Sequence, residues 1–466
     1  MSEARHDGVR GPGKRAVRKR PVSAGPTASQ AEAIVKISPA RAAAFEILTL
    51  VGAGKGHSDE LLHSPRTETL SPEDRNLTTA LVMGVLRWQI ALDARVALLL
   101  ARPDQRLAEP VAIALRMGAF QLLHMDRIPA HAVLNESVEI CRAAGQPHAS
   151  GMVNAVLRKL AASQKPGTRM HESTASFAER LGHPLWLVER WVTAYGREAT
   201  LAICEYDQHE PGHGGFFSEP DDTAAEPAGE CTPQMDDGSR LVAEIAAVAM
   251  PTTMTNGHAS CVWDCCAAPG GKALILALRL SDAEIVATDG NARRLAQMAA
   301  RLRRYAYAQR VKCSVVDASA VVSETSQDAN FDLILCDVPC SGTGTLARNP
   351  EIRLRLQPED LVRQSVRQRV ILSGALRRLA PGGRLVYSTC SLEPEENELV
   401  VKAVTSGGGL RRISVEPLIV SLADRGVLRQ EASARLIGSA VKGDALRTLP
   451  GVHGCDGFFA VVLERK

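Results

Sequence analysis

The chain has 466 residues, with 55 basic and 52 acidic side chains and a formal net charge of +3. That length accommodates two or three domains with full cores, and so even a balance announces no nucleic-acid partner by itself. No run of roughly 18 or more apolar residues occurs and no apolar leader follows the first Met, so the reading is a cytoplasmic protein with no membrane partner.

Residues 1–36 read as a disordered tail. Arg5, Arg10, Lys14, Arg15, Arg18, Lys19 and Arg20 stand among Gly, Pro and Ser, a pattern suited either to touching phosphates or to keeping the chain soluble. Residues 37–165 space apolar side chains at three and four, in ARAAAFEILTLV, NLTTALVMGVLRWQIALDARVALLLA, PVAIALRMGAFQLLHM and HAVLNESVEICRAA. This predicts an all-helical domain. Residues 166–240 continue with two helices, around HPLWLVERWVTAYG and ATLAICEYD, and then a Gly-, Pro- and acid-rich stretch that reads as linker.

Residues 241–466 alternate strand and helix. CVWDC, EIVATD, RVKCSVVD, FDLILCD and GRLVYSTC are strand-like runs, and GFFAVVLER closes the series. Such near-continuous apolar strands between helices predict a doubly wound, Rossmann-like α/β domain. The 11 cysteines are an odd number and many lie in these runs, as reduced thiols do. There is no Cys-x-x-Cys pair, so no metal is expected.

Ligands of open α/β sheets bind at the carboxyl ends of the strands. The first strand runs into CAAPGGK, where Gly270 and Gly271 let a ligand approach the backbone at a helix start. Asp289 follows Gly270 by 19 residues, the spacing of a carboxylate that holds ribose hydroxyls. Asp317 and Asp337 end the next two strands. A P-loop fails because Ala273 follows Lys272, and G-x-G-x-x-G is absent. A single-nucleoside cofactor, S-adenosyl-L-methionine, fits best, since it needs no pyrophosphate cradle.

Cys340, just past Asp337, and Cys390, which ends YSTC, would share one cleft if their strands are neighbours. A lone cysteine is most often a small buried hydrophobe. Two at adjacent strand ends suit a different role. A thiolate that adds to C6 of cytosine turns C5 into a nucleophile toward a methyl sulfonium, and a second group then assists elimination. Asp337 would bond the ring edge or contact the cofactor. The acidic run after Cys390, with Glu393, Glu395, Glu396 and Glu398, reads as a solvated turn.

CAAPGGK, DVPCSGTGTLARNPEIR and YSTCSLEPEEN resemble the motifs of the RNA cytosine-5 methyltransferases of the RsmB/Sun type. The resemblance implies that Cys390 is the nucleophile and Cys340 the group that aids release. It also implies cofactor contacts from Cys266, Ala267, Ala268, Pro269, Gly270, Gly271 and Lys272, and from Asp289, Asp317 and Asp337. EDRNLTTALVMGVLR, LRMGAFQLLHMDRIPAHAVLNESVE and ASGMVNAVLRKLA are similar to the NusB-like helical domain of that subfamily, which implies 16S ribosomal RNA as partner of a monomeric enzyme. Where the family carries an RNA-contacting subdomain with a P-x-W-L-R-V-N strand, this chain has the shorter EPGHGGFFSEPDDTAAEPAGECTPQ. That departure motivates a second reading, an RNA-binding assembly factor with little turnover, and a third, transfer RNA as the substrate. Arg348, Arg353 and Arg355 would either hold phosphates or form a solvated basic face.

Overall fold

The computed structural model describes residues 37–104, 106–163, 172–212, 215–218, 232–251, 260–319 and 330–466. The basic tail and most of the Gly-, Pro- and acid-rich stretch, with the expected shortening of the RNA-contacting segment, lie outside the described residues.

The first domain comprises α1 (Pro39–Gly52), α2 (Ser58–Leu62), α3 (Pro65–Glu68), α4 (Pro72–Ala97), α5 (Glu109–His124), α6 (Ala130–Ala143) and α7 (Ser150–Ala162). Proline stands in the first turn of α1, α4 and α5, where an N–H has no intrahelical acceptor to lose. Leu81, Val85, Ile113, Met117, Val153 and Leu157 meet in one core. α4 and α5 approach closely because position 84 is glycine: a Cβ there would lie 1.9 Å from Phe120 Cζ.

Next come α8 (Thr174–Arg180), α9 (Leu185–Tyr195) and α10 (Arg197–Tyr206). Phe177, Leu187, Trp191 and Ile203 are buried together with Leu346 and Leu392 from the α/β domain, each contributing about 1.5–3 kcal/mol by leaving water. These helices therefore brace the α/β domain. α11 (Asp237–Val248) starts at an Asp236 cap, whose Oδ1 accepts from the Gly238 and Ser239 N–H groups at 2.8 and 3.3 Å. It buries Leu241, Val242 and Ile245 against the sheet.

The sheet contains β1 (Cys261–Asp264), β2 (Glu284–Asp289), β3 (Lys312–Val315), β4 (Phe331–Asp337), β5 (Leu379–Thr389), β6 (Leu410–Ile413), β7 (Val441–Lys442), β8 (Ala445–Arg447) and β9 (Phe459–Arg465). Its order is β3-β2-β1-β4-β5-β9-β8-β7, with β6 also on β9. β1 to β5 are parallel, and α12 (Gly271–Arg279), α13 (Ala292–Leu302), α14 (Ile352–Arg355) and α15 (Pro358–Arg377) lie among them in the chain. The order reverses at β1, between β2 and β4, so a crevice opens at their carboxyl ends. β9 runs antiparallel to β5, because the chain reaches it from the β7–β8 hairpin and turns back once more. α16 (Glu398–Thr405), α17 (Glu416–Asp424) and α18 (Gln430–Ser439) complete the domain. Strands β6 to β8 have two to four residues each, too few for alternation to be visible in the sequence.

Candidate active site

At the end of β1 the chain turns through Cys266, Ala267, Ala268, Pro269 and Gly270 into α12. Gly270 has φ 96°, a left-handed conformation, and a Cβ there would lie 2.6 Å from Met298 Cγ. The Ala267 N–H donates to Thr288 O at 2.8 Å and the Gly270 N–H to Ala267 O at 2.7 Å, which fixes the turn against β2. Lys272 is held in the crevice: Nζ lies 2.7 Å from Asp337 Oδ2, donates to Ser239 Oγ at 2.9 Å, and sits 5.1 Å from the centre of the Phe458 ring.

Asp289 ends β2 nearly buried, with Oδ1 accepting from the Asn291 N–H at 2.8 Å and Oδ2 3.7 Å from Arg294 Nη1. Asp317 lies two residues past β3, exposed, and accepts from the Ser319 N–H and hydroxyl; those two bonds hold its carboxyl below the usual range. A Cβ at Gly290 would be 3.4 Å from Asp317 Cα, so the two loops that carry these aspartates touch. Asp337 ends β4 and stays partly exposed: besides Lys272, its Oδ1 accepts from Ser388 Oγ at 2.7 Å.

Asp264, at the end of β1, was not among the residues the sequence singled out. Both of its carboxylate oxygens are buried without a hydrogen-bond partner of good geometry. Burial first, and Asp337 second, push this carboxyl up to about 7. The signal was present in the sequence, since CVWD is a strand ending in aspartate like the other three. A cluster of strand-end carboxylates, one of them orphaned, beside a glycine turn with free helix N–H groups fits a nucleoside cofactor that carries hydroxyls and an ammonium.

β4 and β5 are neighbours, with Asp337 opposite Ser388. Their continuations bring Cys340 and Cys390 together, Sγ to Sγ 3.1 Å. The shared contact with Cys390, then burial, then the charges of Glu396 and Asp337 push the Cys340 thiol well above its ordinary value, so it keeps its proton at neutral pH. Cys390 is only partly buried and lies in the electrostatic field of Lys272, the residue that follows the glycine turn. Lys272 thus links the turn to the strand that leads to Cys340, through its pairing with Asp337.

The acidic run after Cys390 is only in part solvated: Glu395 is partly exposed and Glu398 exposed, but Glu393 and Glu396 are buried. Glu393 is buried, accepts from Trp191 Nε1 and Arg190 Nε, both at 2.9 Å, and its carboxyl is nonetheless pushed up by burial. Glu396 is fully buried, accepting from the Ser341 N–H, Gln368 Nε2 and the Ser341 and Ser391 hydroxyls. Backbone donors and α9 supply partners that the local sequence does not reveal. The repeated Cys-Ser at 340–341 and 390–391 was a visible signal for the serines.

Of Arg348, Arg353 and Arg355, only Arg353 is buried; Arg348 is partly exposed and Arg355 exposed, and all three are bonded to protein groups. Arg348 pairs with Asp236 and Asp456 at 3.2 and 2.9 Å. Arg353 is buried and donates to the carbonyls of Arg87, Gly182, Asp207 and Leu346. Arg355 donates to Val51 O and Gly56 O. All three tie the segment after Cys340 to the rest of the molecule.

The α/β domain matches the family model of the 16S rRNA methyltransferase RsmB/F over residues 252–464, and the helical domain matches the NusB family over 38–162. Across most of its length the chain is similar to ribosomal RNA small subunit methyltransferase B of Vibrio cholerae, 30% identical over 91% of this chain and 97% of the relative. The chain belongs to the RsmB/F methyltransferase family. The corresponding protein of Xanthomonas campestris is 30% identical over 84% of this chain and 89% of its own. The crystal structure of PH0851 shares the fold, with a TM-score of 0.66 and 20% identity over 92% of this chain and 99% of that one. The NusB-like and Rossmann-like domains expected from the sequence are both present, and the cofactor of this RsmB/F methyltransferase is S-adenosyl-L-methionine. Among the described residues, no helix is long and apolar enough to cross a membrane.

Proposed function

We propose that this RsmB/F-family protein methylates C5 of a cytosine in 16S ribosomal RNA, in the cytoplasm and as a monomer without a metal. The observation that carries this reading is the 3.1 Å approach of Cys340 and Cys390 beside the Gly270 turn. S-adenosyl-L-methionine supplies an electrophilic methyl group when bound. Cys266 to Lys272 and Asp264 would receive its amino-acid end, Asp289 its ribose and Asp317 its base. The chain's own residues do the rest. Cys390, as thiolate, adds to C6 of the cytosine, and the electron pair of the C5–C6 bond moves to C5. After C5 is methylated its remaining proton passes to water, the C–H electron pair re-forms the C5–C6 double bond, and the C6–sulfur bond breaks with its pair left on the Cys390 sulfur. Cys340 keeps a proton beside the departing sulfur and can return it. Asp337 holds Lys272 and accepts from Ser388, and its partly exposed carboxylate would also contact the cofactor or the ring edge.

Labelled cofactor and unmodified 16S ribosomal RNA test the proposal, with bisulfite sequencing to identify the base. Transfer to one cytosine that disappears in Cys390→Ala is the expected result. Tight RNA binding without transfer, or label on another base, would overturn it.

A further inference from the structure

A single carboxylate stands behind both cysteines. Ser341 follows Cys340 and Ser391 follows Cys390, and Glu396 binds both serines. Its Oε1 accepts from the Ser341 backbone N–H at 2.8 Å and from Gln368 Nε2 at 3.0 Å. Its Oε2 accepts from the hydroxyls of Ser341 and Ser391, which lie 3.0 Å from one another. Gln368 also donates to Pro339 O at 2.9 Å, so the residue before Cys340 hangs from the same cluster. With four donors, the acceptor capacity of the carboxylate is filled, and Glu396 is 0% exposed. It can neither touch a substrate nor take a proton from one. A buried carboxylate also costs several kcal/mol to desolvate unless its partners are in place, so it holds the loops only in the arrangement that completes its set.

We propose that Glu396 is the positioning residue that sets the separation of the Cys340 and Cys390 sulfurs. The two cysteines leave from adjacent parallel strands, but the register of β4 and β5 ends at Asp337 and Ser388, before either sulfur. Beyond it, the loops are joined by the Gly344 N–H to Cys390 O bond at 2.9 Å, by Thr343 Oγ1, which accepts from the Leu392 N–H at 2.9 Å and lies 3.4 Å from Ser391 Oγ, and by the Glu396 cluster, which alone among them also reaches the Ser341 N–H beside Cys340. The proposal rests on the reading that these two thiols are the reactive pair.

Cross-linking reads the separation without any methyl transfer. A diazene oxidant takes two electrons and two protons from the thiols, giving one disulfide and one hydrazine, and peptide mass spectrometry of the full chain identifies the Cys340–Cys390 product. In Glu396→Ala the two sulfurs should couple at least tenfold more slowly than in the wild type, and kcat for methyl transfer should fall about 10²-fold with KM for RNA nearly unchanged, the loss expected for a displacement of about 1 Å. Glu396→Gln should restore most of both, because its N–H groups can donate to the two hydroxyl oxygens that formerly donated. Should the alanine variant fail to fold, Ser341→Ala with Ser391→Ala removes the hydroxyl bridges and keeps the carboxylate. Coupling at the wild-type rate in a folded variant overturns the assignment. If the cross-linking pattern holds while no form of the protein transfers methyl, the assignment stands and the proposed function falls.

Discussion

Trp191 donates its indole N–H to Glu393 Oε1 at 2.9 Å, joining α9 to the turn that leaves Cys390. Arg190, its neighbour, holds the other oxygen of Glu393 and also Glu395. Replacing Trp191 by Phe keeps most of the packing and strands a buried carboxylate oxygen. Urea unfolding should show a loss of roughly 1–3 kcal/mol, and unchanged unfolding would mean that this bond contributes nothing.

Cys340→Ala should leave the attack intact and slow the release. The variant should accumulate a covalent protein–RNA adduct that survives denaturing electrophoresis, while Cys390→Ala forms none. Equal adduct in wild type and Cys340→Ala would remove Cys340 from that step.

Asp264 should be a case in which stability and binding oppose one another. Its carboxyl, pushed up to about 7 by burial and then by Asp337, must ionise in a buried place at pH 8, whereas the unfolded chain ionises it freely above its ordinary value of 3.8. The stability this proton provides is therefore complete below pH 3.8 and is lost as pH rises from there through about 7. Asp264→Asn should be more stable at pH 8 by roughly 2–4 kcal/mol and should bind S-adenosyl-L-methionine more weakly. Calorimetry of both properties checks the pairing; a variant that binds as well as the wild type would remove Asp264 from the cofactor site.

His183 should set the acid limit. Its ring is buried, with Nδ1 2.7 Å from Leu181 O and Nε2 3.2 Å from Asp207 Oδ2, and burial lowers its pKa from 6.5 to about 4. The unfolded chain takes up this proton first, so the contribution is complete above pH 6.5 and is lost as pH falls toward 4. Melting temperatures of the wild type and His183→Gln should converge across that window, and parallel curves would contradict the assignment.

Much of the α/β architecture was legible because β1, β2, β4 and β5 are apolar runs ending in an acid or a cysteine. Cys340 and Cys390 could be paired because their strands are adjacent in the sheet as well as in the chain. The partners of charged groups were hidden. Arg353 looks like a surface arginine in NPEIRLR, yet it is buried, and its two terminal nitrogens donate to four carbonyls from segments as distant as Arg87 and Asp207 while its Nε has no partner. Glu393 and Glu396 look solvated for the same reason: their donors come from α9, α15 and the loop after β4. Periodicity reports which face of an element is apolar, not which distant groups will neutralise a buried charge.

The stretch downstream of Cys340 is fastened to the helical domain along its length. Arg87 donates to Ala347 O at 2.7 Å, Ser58 Oγ to Glu351 Oε2 at 2.8 Å, and Arg355 reaches the end of α1. Each of these anchorages opposes a swing of the segment toward a base. Under the proposed function the pyrimidine therefore makes the whole journey, turned out of its own stack toward sulfurs that are already waiting.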